Sequence, residues 1–146
     1  MNQQENYGYL SSLNFSNKLK GYPHTSLIGL CTDKNGYPIL SMSDISLHTK
    51  NIKNNNQCSI LIPINGLKNQ SQKRVTFTGD IYKILDHDEN LKAKNIYLES
   101  HPEAFWLKYI DFGMYKMNHI KDINYIGGFG KATKISINKY LELFKL

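Results

Sequence analysis

Hydroxyl, amide, imidazole and ammonium side chains crowd into one short stretch, Ser41-Met42-Ser43-Asp44-Ile45-Ser46-Leu47-His48-Thr49-Lys50-Asn51. A phosphate is held by such a mixture: hydroxyl and backbone N–H donors, one cation, and a helix start whose dipole favours an anion. Ser41 and Ser43 end an apolar, strand-like run, while His48, Thr49, Lys50 and Asn51 open a polar, helix-like one. The same residues also describe a capped helix with a solvated face. Residue types alone leave both readings open.

Two further places could carry chemistry. Arg74 begins a β-favouring run, and its guanidinium could fork onto a phosphate or a carboxylate, or make a surface ion pair. Gly127-Gly128-Phe129-Gly130-Lys131 lacks the GxGxxG spacing of a dinucleotide loop. It suits a backbone passing close to a ligand or a second chain, or a bulged turn. His101, Asp111 and Trp106 read as cap, turn and core residues. No Ser/His/Asp or Cys/His grouping is legible, and no carboxylate pair suggests hydrolysis. The histidines are scattered, and Cys31 and Cys58 sit in apolar runs, so structural zinc is not expected and both thiols read as reduced core residues.

The elements that must position these residues are mostly strands. His24–Thr32 and Tyr37–Ser43 flank Asp33-Lys34-Asn35-Gly36 and form a hairpin. Residues 48–56 read as a short helix. Gln57–Ile64 is a strand expected to be buried on both faces, and Arg74–Ile84 alternates well around Gly79, which suggests a bulge. Asp86–Ser100 is a capped helix, and His101-Pro102-Glu103-Ala104 starts another. Asp111–Met117 and Asp122–Ile126 read as two strands around a turn at Asn118-His119, with a strand at Ala132–Ile137 and a terminal helix at Asn138–Phe144. Residues 1–20 read as an N-terminal helical segment, and 21–146 as one domain. The fold class is mostly β (α+β), an antiparallel barrel with short peripheral helices.

The chain has 146 residues, 40% hydrophobic and 12% aromatic, which fits one globular domain. Its net charge is +6, almost all from lysine, with Arg74 the only arginine. A specific nucleic-acid reader leans on arginine, so the charge implies only a preference for anionic ligands and no nucleic-acid partner. No apolar run is long enough to span a bilayer, and Met1–Asn6 lacks the order of a secretory leader. An intracellular, cytoplasmic protein is expected, or one whose organelle leader has been removed.

The order of segments resembles the FMN-binding split-barrel family around pyridoxamine 5′-phosphate oxidase, in its haem-utilisation branch. The matching pieces are Gly36-Tyr37-Pro38 leading to Ser41-Met42-Ser43, then His48-Thr49-Lys50-Asn51, Cys58-Ser59-Ile60-Leu61 and Arg74-Val75-Thr76-Phe77-Thr78-Gly79. Tyr97-Leu98-Glu99-Ser100-His101-Pro102-Glu103-Ala104, Asp111-Phe112 and Ile126-Gly127-Gly128-Phe129-Gly130-Lys131-Ala132 complete the series. The resemblance implies a six-stranded split β-barrel forming a homodimer, with cofactor sites at the interface. It implies FMN, its phosphate on His48, Thr49, Lys50 and Asn51 and its ring on Ser41, Met42 and Ser43. Arg74, Gly128 and Lys131 are further candidate contacts. Many relatives carry arginine where Lys50 and Lys131 stand, which loses the fork. The arginine and histidine clamp of vitamin-B6 oxidases is not visible. The implied activity is a flavin-dependent oxidoreductase acting on a small-molecule substrate. A second reading is a binding module, in which the same barrel carries haem or no cofactor; by expected exposure alone His24, His48 or His119 is the axial candidate.

Overall fold

The computed structural model describes residues 6–145 apart from Leu67 and Phe129. In chain order the elements are β1 (Tyr7–Leu13), β2 (Pro23–Thr32), β3 (Pro38–Ser43), α1 (Leu47–Asn54), β4 (Gln57–Pro63) and β5 (Arg74–Lys83). They continue with α2 (His87–Ser100), β6 (Phe112–Ile126), β7 (Ala132–Lys134) and α3 (Ile137–Glu142). Short 3-10 turns cover Asn17–Leu19 and Phe105–Lys108.

Every strand pairing is antiparallel, in the order β3-β2-β1-β4-β5-β6-β7, and β3 also pairs with β6. That last pairing closes six strands into a barrel and leaves β7 as an extra strand beside the far end of β6. Side chains alternate across a strand, so each closing strand feeds two cores. Leu40, Met42, Tyr115 and Met117 fill the barrel interior with Leu10, Leu30, Ile60, Phe77 and Ile81. Ile39, Cys31 and Met114 face outward and pack beneath Ala93 and Tyr97 of α2 and Leu107. Both cysteines are free and buried, and burial pushes each thiol up to about 12, so both stay protonated at neutral pH.

The two short helices sit at the barrel ends. α1 contributes Ile52 to the interior cluster. α3 lays Ile137, Tyr140 and Leu141 against the same cluster, with the Tyr140 hydroxyl donating to Gly36 O at 2.6 Å. α2 has its expected Asp86 cap, whose carboxylate accepts the Glu89 N–H at 3.0 Å.

Four expectations need correction. Part of the N-terminal segment is not helical: β1 pairs with both β2 and β4. Its inward positions are Gly8, Leu10 and Ser12, too small and polar to advertise a strand. β6 is one strand of 15 residues rather than two. Asn118 and His119 are both exposed between buried Met117 and Ile120, because the pairing with β5 shifts register at Thr78/Gly79 and Asp80/Tyr82. β4 is buried on one face only, with Ser59 and Leu61 half-exposed outside the barrel. Finally, His101–Ala104 precedes a 3-10 turn instead of opening an α-helix. Among the described residues no helix is long and apolar enough to cross a membrane.

Gly79 stands opposite the bulged stretch of β6, and it is glycine for a steric reason. A Cβ there would drive into the backbone carbonyl of His119 and sit 3.1 Å from Met117 Cγ. Backbone cannot move aside cheaply at a barrel seam. Gly79→Ala is expected to cost about 2 kcal/mol in urea unfolding, within the usual range for overpacking, and an unchanged midpoint would refute this account of the bulge.

Candidate functional site

The site begins where β3 ends. Ser43 Oγ donates to Asp111 Oδ2 at 2.9 Å and accepts the Ile45 N–H at 3.3 Å, while the Asp44 N–H donates to Asp111 O at 2.7 Å. Asp111, read from the sequence as a turn residue, therefore ties the end of β3 to the start of β6. Met42 points into the barrel and is buried. Ser41 faces the other way, and its hydroxyl is buried without a hydrogen-bond partner.

α1 follows at once, with Ser46 at its N-cap making no side-chain cap bond. Successive helical residues step by about 100°, so His48, Thr49, Lys50 and Asn51 radiate around the axis, with only His48 and Asn51, three apart, near one face. Lys50 is exposed, His48 half-buried, and Thr49 and Asn51 fully buried. The Asn51 amide is occupied by the barrel: Nδ2 donates to Ser12 Oγ at 3.1 Å, and Oδ1 accepts the Phe15 N–H at 3.0 Å. Thr49 Oγ1 is buried with no partner. An orphaned buried hydroxyl is costly, which makes Thr49 and Ser41 the two atoms of the stretch that a ligand would relieve.

The histidines differ in what they can do. Burial, with His24 nearby as a smaller contribution, holds the His48 imidazole below its ordinary 6.5, so it is neutral at pH 7. His101 is buried, its Nε2 3.0 Å from Leu30 O and its ring stacked on Tyr97, which commits it to packing. His119 is exposed beside Tyr82 and 3.8 Å from Asp80.

Arg74, Gly128 and Lys131 lie elsewhere. Arg74 pairs with Ile126 at the far end of β6, and its Nη1 donates to Gln70 O at 2.7 Å and Gln72 O at 3.0 Å. Gly128 has φ +154 and Gly130 +72, within the turn between β6 and β7. The Lys131 N–H closes that turn on Gly128 O at 3.1 Å. These three lie toward the Ile126 end of β6, whereas Ser43 pairs with Phe112 at its start. Among the described residues no cluster of metal-ligating side chains occurs.

Residues that the sequence reading passed over also gather near α1. Lys53 pairs with Asp44 at 2.9 Å, and Lys83 and Tyr115 lie close by. Only the Asp44–Lys53 pair is local in sequence; the others arrive through barrel closure, so no motif could have announced them.

A closed six-stranded split barrel with helices at its ends and along one side has known counterparts. The family description "CREG, beta-barrel" matches residues 1–142. This chain belongs to the CREG β-barrel family. It is 34% identical over 125 residues to the chloroplastic non-canonical haem oxygenase HOZ of Arabidopsis thaliana, covering 86% of this chain and 37% of that protein. A haem-binding protein from Mycobacterium smegmatis superposes with TM-score 0.81 at 22% identity, over 95% of this chain and 56% of that one. A putative pyridoxamine 5′-phosphate oxidase from Listeria innocua superposes with TM-score 0.65 at 16% identity, over 86% of this chain and 92% of that one. The family chain thus spans little more than half, or less, of the two haem proteins. The split-barrel architecture expected from the sequence is the one observed.

Two predictions follow from the geometry of α1. Asn51→Ala strands the buried Ser12 hydroxyl and Phe15 N–H and is expected to cost about 2 kcal/mol in chemical unfolding; a loss of ligand affinity with stability intact would instead make Asn51 a ligand contact. His48 is held below 6.5 in the fold, so the unfolded chain binds the proton more readily. Its contribution to stability is complete above pH 6.5 and falls as the pH drops below it. His48→Gln should flatten that acid slope in pH-dependent unfolding, and an unaltered slope would exclude His48 as its source.

Proposed function

We propose that this barrel binds haem and serves haem utilisation or breakdown. The observation that carries the reading is the likeness to a haem oxygenase across 86% of the chain. The residues present fit the group in kind. His48 is neutral and half-buried, the protonation state in which an imidazole nitrogen can meet iron. His24, the second residue of β2, is the neighbouring second candidate. Exposed Lys50 would offset a propionate, and exposed Tyr22, Leu27 and Leu47 offer apolar cover. Haem would supply the iron and its oxygen chemistry; the chain would supply an imidazole nitrogen from His48 or His24, the Lys50 cation and shelter from water.

A haemin titration tests this directly. A Soret band at near-stoichiometric haemin is expected. His48→Ala should weaken binding about tenfold or more while far-UV dichroism stays native, with His24→Ala read in parallel. Absence of a Soret shift in haemin excess would sink the reading.

FMN is the second reading, favoured by the partnerless hydroxyls of Ser41 and Thr49 beside Lys50. In this reading the chain forms a homodimer, in which Arg74, Gly128 and Lys131 of another copy meet the near end. A small-molecule substrate would then be oxidised or reduced by the flavin. Light scattering should give twice the chain mass, and added FMN should quench its fluorescence in wild type but not in the Thr49→Ala, Lys50→Ala double variant. A monomer that binds no FMN would exclude this alternative.

A further inference from the structure

Beyond the α1 stretch, a groove of about 550 Å³ opens between the C-terminal end of α1 and the ends of β5 and β6, lined by Lys53 to Asn56, Ile81, Tyr82, Lys83 and Tyr115. Its size is that of a small-molecule site. Tyr115 is only 1% exposed, and its hydroxyl has no hydrogen-bond partner. Burial pushes that phenol up from its ordinary value, so it stays protonated and available as a donor.

Lys83 supplies the charge. Among the described residues the ion pairs leave it without a carboxylate partner, whereas Lys53 is matched by Asp44 at 2.9 Å. A Cβ on Gly113 would lie 3.0 Å from Lys83 Cε, 3.3 Å from Tyr115 Cε2 and 3.6 Å from Lys83 Nζ. The bare Gly113 backbone is thus where the Lys83 stem and the Tyr115 ring come together. One matched pair, one unmatched ammonium and one orphaned hydroxyl make a site of net single positive charge with a neutral donor. A phosphate dianion calls for more charge and for arginine forks. Ile81 and the half-exposed Tyr82 ring supply an apolar wall.

The geometry points to a binding subsite for the carboxylate of an organic monoanion, with Lys83 as counter-charge and Tyr115 Oη as hydrogen-bond donor. The carboxylate belongs either to a free small molecule or to a haem propionate, and the subsite does not depend on the haem reading.

Benzoate, with benzamide as its neutral isostere, tests it by amide NMR titration of the full chain. Benzoate should shift the amides of Lys53–Asn56, Ile81–Lys83 and Tyr115, and benzamide should not. Lys83→Met should weaken benzoate by about tenfold. Tyr115→Phe should weaken it while leaving thermal stability equal or higher, since it removes a buried hydroxyl with no partner; a merely structural tyrosine would not move affinity. Equal shifts with benzamide, or unchanged benzoate affinity in Lys83→Met, would overturn the proposal. Haemin separates the sources: weaker haemin binding in Lys83→Met identifies a propionate, and unchanged binding identifies a separate small molecule. Lysine-dependent benzoate binding without any haemin binding would keep this subsite and sink the haem reading.

Discussion

The pairing of β3 with β6, Ile39 with Lys116 through Ser43 with Phe112, is the constraint on which the rest depends. Without it the sheet would be an open ribbon with β3 as an unprotected edge. With it, six strands enclose one core, and the two strands that close the barrel also carry the outward side chains that α2 covers. The same pairing brings Asp111 to Ser43 and sets Tyr115 and Lys83 near the end of α1. Long-range closure therefore creates the chemistry at this end of the barrel.

The end helices are consequences of that closure and not independent structures. α1 has eight residues and no side-chain cap bond, too short to persist alone in water. It is held because Ile52 enters the core and the Asn51 amide satisfies Ser12 and Phe15. α3 is shorter still and is held by the edge-on contact of Tyr140 with Phe77 and by its hydroxyl bond to Gly36. Holding α1 so tightly leaves the Thr49 hydroxyl without a partner. A fold tends to retain such a cost where a ligand or partner relieves it.

Much of this was legible where period and turn chemistry agree. The hairpin of β2 and β3, the alternation of β5 through Gly79, and the Asp86-capped α2 all lie where local propensity and tertiary packing ask for the same conformation. β1 was hidden because its inward positions are glycine and serine around a single leucine, a pattern without hydrophobic contrast. β6 was split because extra residues of its own at the register shifts against β5 break its alternation, and Asn118-His119 then imitates a turn. Of the site, the residues of Ser41–Asn51 were legible as types. Their directions were not, since a helix scatters neighbours around its axis. Asp111, Lys83 and Tyr115 were invisible as partners because only barrel closure makes them neighbours.

The separation of the candidate contacts bears on which cofactor the barrel suits. β6 carries 15 residues between the Ser43 end and the Arg74 end, a contour of roughly 45 Å at strand rise. Candidate contacts spread so far along one strand are brought together most simply when a second chain lends its far end, as a two-fold assembly would. In that form the flavin reading carries an oligomeric requirement that the haem reading does not. His24, His48 and Lys50 all lie at the α1 end of a single chain, where His48 is already neutral. A ligand served by one end of one barrel asks less of this structure than a ligand that needs both ends of two.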